Sequence, residues 1–264
     1  MIIDTNVSFG FWPFERFLQN TAGRLNTHLQ AEGISTALVS SIEGVLYRNP
    51  DVYNKILIEK IKKYPSLKPV MIINPLLADW KQRLYEYSRL VKVTAVKIFP
   101  AYHSYSLLAE HIIDVFMDEI LSLNIIVMVQ VRIEDERTQL SSMRVNSLNT
   151  DDIIRFAQKY PTNKIICLCL DYEEAAKILK ATENVFADIS YMDAVNVLPR
   201  LLQQVSAERV LFGSHTPFLY TASARMKMMY EEISPQERKK ICSGNISTLM
   251  ATDFLGDEKN LVKP

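Results

Sequence analysis

The chain has 264 residues, with 30 Lys plus Arg set against 30 Asp plus Glu, so its formal net charge is zero. That balance excludes a global attraction to nucleic acid or to an anionic membrane, and 48% hydrophobic residues are ample for one large core. Three cysteines without a Cys-x-x-Cys pair exclude a disulfide scaffold, and no apolar run approaches the ~18 residues of a membrane span. The expected setting is the cytoplasm, with neither nucleic acid nor membrane as partner, and the neutral total leaves room for a homo-oligomer.

In chain order, short β-rich runs fall at residues 2–6, 36–41, 67–73, 93–99, 125–131, 164–170, 184–190 and 209–214. Several are apolar on both faces, as strands of a helix-covered parallel sheet must be. Between them lie amphipathic stretches at 51–64, 107–123 and 151–160. In the first of these, helical spacing predicts one buried face made of Tyr53, Ile56, Leu57, Ile61 and Tyr64, with Lys55, Glu59 and Lys62 in solvent. Eight strand–helix repeats over residues 1–264 predict a single-domain (β/α)8 TIM barrel. An open doubly wound sheet is the alternative, but a Gly-rich phosphate turn would be expected there, and the 7 glycines form none.

Function in such a barrel gathers at the C-terminal strand ends. The polar residues there are Asn6 and Ser8, Ser40 and Ser41, Asn74, Lys97, Gln130 and Arg132, Cys169 and Asp171, Asp188 and Ser190, and Ser214 and His215. His215 reads as a general acid or base, or as a hydrogen-bonded structural histidine. Lys97, inside an apolar strand, either orients an anionic group or pairs with Asp4 or Asp188. Cys169 is a nucleophile if His215 touches it and otherwise a small buried residue, with Cys167 on the same face deeper in the barrel. Arg132 begins an acidic and basic run that reads as a solvated loop. Two loops are rich in rings: Phe9, Phe11, Trp12 and Phe14 after the first strand, and Phe99, Tyr102, His103 and Tyr105 after the fourth. They either wall an apolar ligand pocket or meet a neighbouring subunit. Met226, Met228 and Met229 fit an ordinary helix face.

These segments resemble the amidohydrolase-related family of metal-dependent hydrolases and decarboxylases over nearly the whole chain. The opening Asp4-Thr5-Asn6-Val7-Ser8 is similar to the family's Asp-x-His-x-His. Val96-Lys97-Ile98-Phe99-Pro100 is similar to its Lys-Ile-His-Pro segment, and residues 184–190 to its Asn-Val-Tyr-x-Asp-x-Ser. The run at 211–218 resembles Leu-Phe-Gly-Ser-Asp-x-Pro-Phe with His215 at the aspartate, and the closing helix carries Gly244 and Asn245. Gln130 and Cys169 stand where the resemblance implies His ligands, and Asp171 where it implies Gly. Carried over, the metal site becomes Asn6, Ser8, Gln130, Cys169 and His215, of which Cys169 and His215 alone are good ligands for zinc.

The resemblance therefore implies a hydrolase-like or decarboxylase-like barrel that acts on or binds a small anionic or cyclic molecule, with the usual metal site lost. No cofactor is expected; zinc or another divalent metal would mean that the ligand mapping is wrong. Retained activity would use His215, Lys97 and Cys169, with Asn6, Ser8, Gln130, Asp188, Trp12 and His103 lining the site. The alternative is a non-catalytic binding or structural barrel. Residues tied up in mutual pairs beneath a closed aromatic mouth would favour that alternative.

Overall fold

The structure, a computed structural model, describes residues 1–91 and 94–251. Its strands are β1 (Ile3–Phe9), β2 (Thr36–Ser41), β3 (Leu67–Pro69), β4 (Met71–Ile72) and β5 (Ala95–Ile98), followed by β6 (Ile126–Gln130), β7 (Ile165–Leu168), β8 (Val185–Asp188) and β9 (Val210–Leu211). All pairings between them are parallel. Parallel neighbours need long crossovers, and helices supply them, among them Ala22–Ala31, Asp51–Ile61, Glu110–Ser122, Thr150–Lys159, Tyr172–Ala181 and Thr221–Tyr230. Of the predicted strand at 93–99, Val93 lies outside the described residues.

The alternation of strand and helix is that of a barrel, but the ladder is not one sheet of eight. It forms a three-stranded sheet, β1-β2-β3, and a six-stranded sheet, β4 to β9 in sequence order. The predicted third strand at 67–73 is broken because Pro69 has no N–H to donate. Val70 N still donates to Val39 O of β2, whereas Ile73 N donates to Lys97 O of β5. At the far seam, Thr5 N donates to Phe212 O at 3.0 Å and Ser8 N to Thr216 O at 2.7 Å, joining β1 to the segment after β9.

At the break, the Asn54 side chain takes the place of a neighbouring strand. It donates to Ile72 O at 2.8 Å and accepts from Ile72 N at 3.0 Å. Docking Asn54 there rotates its helix so that Asp51, Asn54, Leu57 and Ile61 face inward. Ile56, expected on the buried face, is exposed.

Strand residues of one parity pack with the helices, for example Val96, Val127, Cys167 and Ala187. Those of the other parity form an interior apolar layer, including Ile3, Leu38, Val70, Ala95, Met128, Ile166 and Leu211, which Ile246 and Leu249 of the closing helix join. Cys167 therefore lies on the helix side, contrary to the expectation that it lines the barrel below Cys169. Two local devices set which residues rise above the interior layer. A bulge between Asp4 and Val7 advances β1 by one residue and brings Asn6 inward. Cys169 adopts φ 62°, which turns its side chain inward although its parity matches that of Cys167.

Asn54→Ala should cost about 3 kcal/mol in denaturant unfolding, since it strands a buried N–H and C=O together. Ile56→Ala should change stability by less than about 0.5 kcal/mol.

Candidate functional site

Above the interior apolar layer lies a buried polar cluster built from five strand ends. Asn6 is its centre. Its amide nitrogen donates to Asp188 Oδ2 at 2.9 Å and to Cys169 Sγ at 3.3 Å, while its amide oxygen accepts from Lys97 Nζ at 3.1 Å. Gln130 Nε2 donates to Cys169 Sγ at 3.1 Å. Asp188 also accepts from Cys169 N at 2.8 Å and from Ser190 Oγ at 2.8 Å. Beside it, Asp4 Oδ1 accepts from the backbone N–H groups of Asn6 and Ser214 at 3.1 and 3.0 Å. Gly213 makes room for this arrangement, because a Cβ there would stand 2.5 Å from Asp188 Oδ2.

Burial governs the charges of these groups. It raises the Asp4 carboxyl to about 7 against the lowering effect of its Ser214 and Asn6 contacts. Lys97 is lowered by burial to about 8, opposed by the acidic groups around it, Asp188 among them. The Lys97 ammonium also lies 5.3 Å from the Phe99 ring centroid. Its direct partner is Asn6 Oδ1, not the Asp4 or Asp188 carboxylate expected from sequence. Burial pushes the Cys169 thiol up to about 12, so it is held as a thiol and not as the reactive thiolate.

His215 does not join the Asn6 cluster. Its Nε2 donates to Ile133 O at 2.7 Å, and its ring stacks on Phe218 with centroids 5.0 Å apart. Burial lowers its pKa to about 3, so the imidazole is neutral. The Cys169–His215 couple that a cysteine nucleophile would need is not formed. Ser8 is buried and held through its backbone, and its hydroxyl takes no part in the network. His103 is buried against Phe99, with centroids 6.1 Å apart, and burial lowers its pKa.

The aromatic loops close this chamber. Trp12 is buried among Phe17, Ile42, Ile72, Phe99, Ile133 and Phe218. It meets Phe218 edge-on at 5.2 Å and donates from Nε1 to Glu134 Oε1 at 3.0 Å. The polar cluster is thus sandwiched between two apolar layers. The open space lies outside the lid, in a cleft of about 650 Å³ lined by Glu15, Glu134, Tyr172, Tyr191 and Phe218 among others.

Arg132, read as part of a solvated loop, is a half-buried clamp. It pairs with Glu174 through both terminal nitrogens and donates to Cys169 O at 2.7 Å. Asp171 caps the helix Tyr172–Ala181, with Glu174 completing a reciprocal capping box. The Asp171-x-x-Glu174 spacing was the signal by which sequence reasoning could have found Glu174.

No protein-family model and no curated protein matches the sequence. Solved structures do. 2,6-Dihydroxybenzoate decarboxylase from Rhizobium has a TM-score of 0.75 at 13% identity, covering 96% of this chain and 99% of that chain. A dihydroxybenzoic acid decarboxylase from Polaromonas sp. JS666, with bound manganese and the inhibitor 2-nitroresorcinol, has a TM-score of 0.73 at 15% identity, covering 96% and 97%. 5-Carboxyvanillate decarboxylase from Sphingomonas paucimobilis gives 0.73 at 12%, covering 95% and 98%. The fold is that of the amidohydrolase-related decarboxylases.

On this amidohydrolase-related fold, a divalent metal would have to be held by Asn6, Ser8, Gln130, Cys169 and His215. Those side chains do not fit one. Two are neutral amides and one a hydroxyl, which are weak ligands, and that leaves Cys169 and His215 as good donors, the His215 Nε2 being turned to Ile133 O. Among the described residues, no three His, Cys, Asp or Glu are grouped so as to hold a metal ion.

Two outcomes test this cluster. Gly213→Ala should cost roughly 2–4 kcal/mol, read from urea midpoints, because the added methyl displaces the Asp188 carboxylate. Asp4→Asn should change the pH profile of stability. A folded pKa of about 7 against 3.8 means that Asp4 contributes stability lost as pH rises from about 4 to 7. His215, at about 3 against 6.5, acts in the opposite sense over much of that range. Removing Asp4 should therefore expose a profile that rises between about pH 4 and 6.5, where the wild type is flatter.

Proposed function

We propose that this chain is a non-catalytic binding protein on an amidohydrolase-related fold, and that the polar residues at its strand ends are an internal structural tie. One observation carries this: Asn6 engages Lys97, Cys169 and Asp188 at once beneath the Trp12–Phe218 lid, leaving no free face for a substrate. An enzyme would need these groups free and in contact with a cavity.

The ligand is a small cyclic molecule bound in the outer cleft, whose Tyr172, Tyr191 and Phe218 walls suit a ring. Support for a cyclic ligand also comes from two related decarboxylases, one complexed with 2,6-dihydroxybenzoate and the other with 2-nitroresorcinol. The acids Glu15, Glu134 and Glu173 on the same walls disfavour an anionic molecule there.

The test is elemental analysis after incubation with excess manganese and zinc, paired with a decarboxylation assay on 2,6-dihydroxybenzoate. The expected result is sub-stoichiometric metal and no turnover. A stoichiometric metal or measurable carbon dioxide release overturns the proposal.

Metal-independent turnover is the competing possibility. It is favoured by the near-neutral pKa values of Asp4 and Lys97, since such groups gather at catalytic sites. It requires the lid to open. Alkylation of the native protein mapped by mass spectrometry separates the two. Cys169 should stay unmodified until urea is added, and rapid native labelling would instead indicate an accessible chamber.

A further inference from the structure

The cleft outside the lid carries an unbalanced charge. Its lining includes Glu15, Glu134, Asp135, Asp171, Glu173 and Asp193, against one base, Arg137, among the described residues. Three of these acids already have a role. Asp135 pairs with Arg137, Asp171 caps the helix Tyr172–Ala181, and Asp193 lies 3.7 Å from Lys227. Glu15, Glu134 and Glu173 remain without an ion pair among the described residues. The lysine one turn beyond Glu173, Lys177, pairs instead with Asp151 at 2.6 Å.

The imbalance bears most on Glu134. It is half-buried, and its Oε1 accepts from the Trp12 indole at 3.0 Å. A backbone bridge between Trp12 and Glu15 folds the lid segment back on itself, with Glu15 on the cleft. Burial raises the Glu134 carboxyl above its ordinary range, the Trp12 hydrogen bond opposes the rise, and the negative charge of Glu15 adds to it. A cation set against the two carboxylates offsets the repulsion and the burial together.

The rest of the lining selects the kind of cation. Ile133, Tyr191, Phe218 and Leu219 give the cleft apolar walls, and its volume of about 650 Å³ suits a small ring compound. A bare metal ion would leave those walls wet, whereas a ring covers them. The tyrosine rings here already take cations: Arg132 lies 5.1 Å from the Tyr191 centroid and Arg200 4.5 Å from that of Tyr172. We propose that the cleft is a site for a ring-bearing organic cation, with its positive end against Glu15 and Glu134 and its ring against Phe218 and Leu219. This deepens the reading of the cleft as a ligand site and rests on it.

The experiment is isothermal calorimetry of the full chain with three ring probes: phenyltrimethylammonium, whose charge is independent of pH, benzyl alcohol and benzoate. Glu134→Gln is titrated beside the wild type; its amide oxygen can still accept from Trp12, so the thermal midpoint should hold. The expected result is one phenyltrimethylammonium per chain, bound about 10-fold or more tightly than benzyl alcohol, with no heat from benzoate. Glu134→Gln should bring the cation down toward the affinity of the alcohol. Equal binding of cation and alcohol overturns the inference and leaves a ring-binding cleft standing, as does tighter binding of benzoate. Unchanged cation affinity in Glu134→Gln overturns it too, by placing the charge elsewhere. Silence from all three probes removes the cleft as a ligand site together with the inference. Carbon dioxide release in the decarboxylation assay bears on the non-catalytic reading alone.

Discussion

An ammonium group buried at the strand ends has to be solvated by the protein itself, and much of this interior follows from meeting that demand for Lys97. Its parity points it inward from β5, away from water, where a bare charge would be untenable. Asn6 answers with its amide oxygen, and the same amide turns its nitrogen toward Asp188 and Cys169. An amide is suited to this position because it both accepts and donates, linking cation to anion without direct contact. The bulge in β1, the left-handed turn at Cys169 and the missing side chain at Gly213 each serve the same junction.

The solved decarboxylases resemble this chain in architecture. Architecture is kept over nearly the full length of those chains at 12–15% identity. The groups at the strand ends are nevertheless bound to one another, and ring residues from two loops seal them off. Fold and chemistry are separable: the strand order rests on strand parity and helix packing, which do not depend on the polar residues at the strand tips.

The amino-acid pattern foretold the strand segments and their order well, because buried parallel strands advertise themselves as short runs of Val, Ile and Leu. It also placed Asn6, Lys97, Gln130, Cys169 and Asp188 at one end of the barrel, where they converge. What it missed depends on single backbone events. Pro69 splits one strand in two, and Asn54, by filling the gap, rotates a helix and leaves Ile56 outside. Strict alternation misplaced Cys167, since the inward turn of Cys169 comes from φ and not from parity. His215 was grouped with the others, but its turn, at φ 56°, aims the ring at Phe218 and Ile133. A positive φ at a residue other than glycine is uncommon, and local sequence signals it weakly even at His, where it is enriched. Arg132 was misread because its partner, Glu174, lies 42 residues away.

The mutual engagement of Asn6, Lys97, Cys169 and Asp188 also bears on which substitutions the chain can accept. Contacts held in common make substitutions strongly non-additive. A lone histidine introduced at position 6 would strip Lys97 of its acceptor and Asp188 of a donor. Introducing one at 169 would force a larger ring into the space between Gln130 and Ser190. Any one such change has to be met by others in the same protein, so the four side chains behave as one unit under substitution.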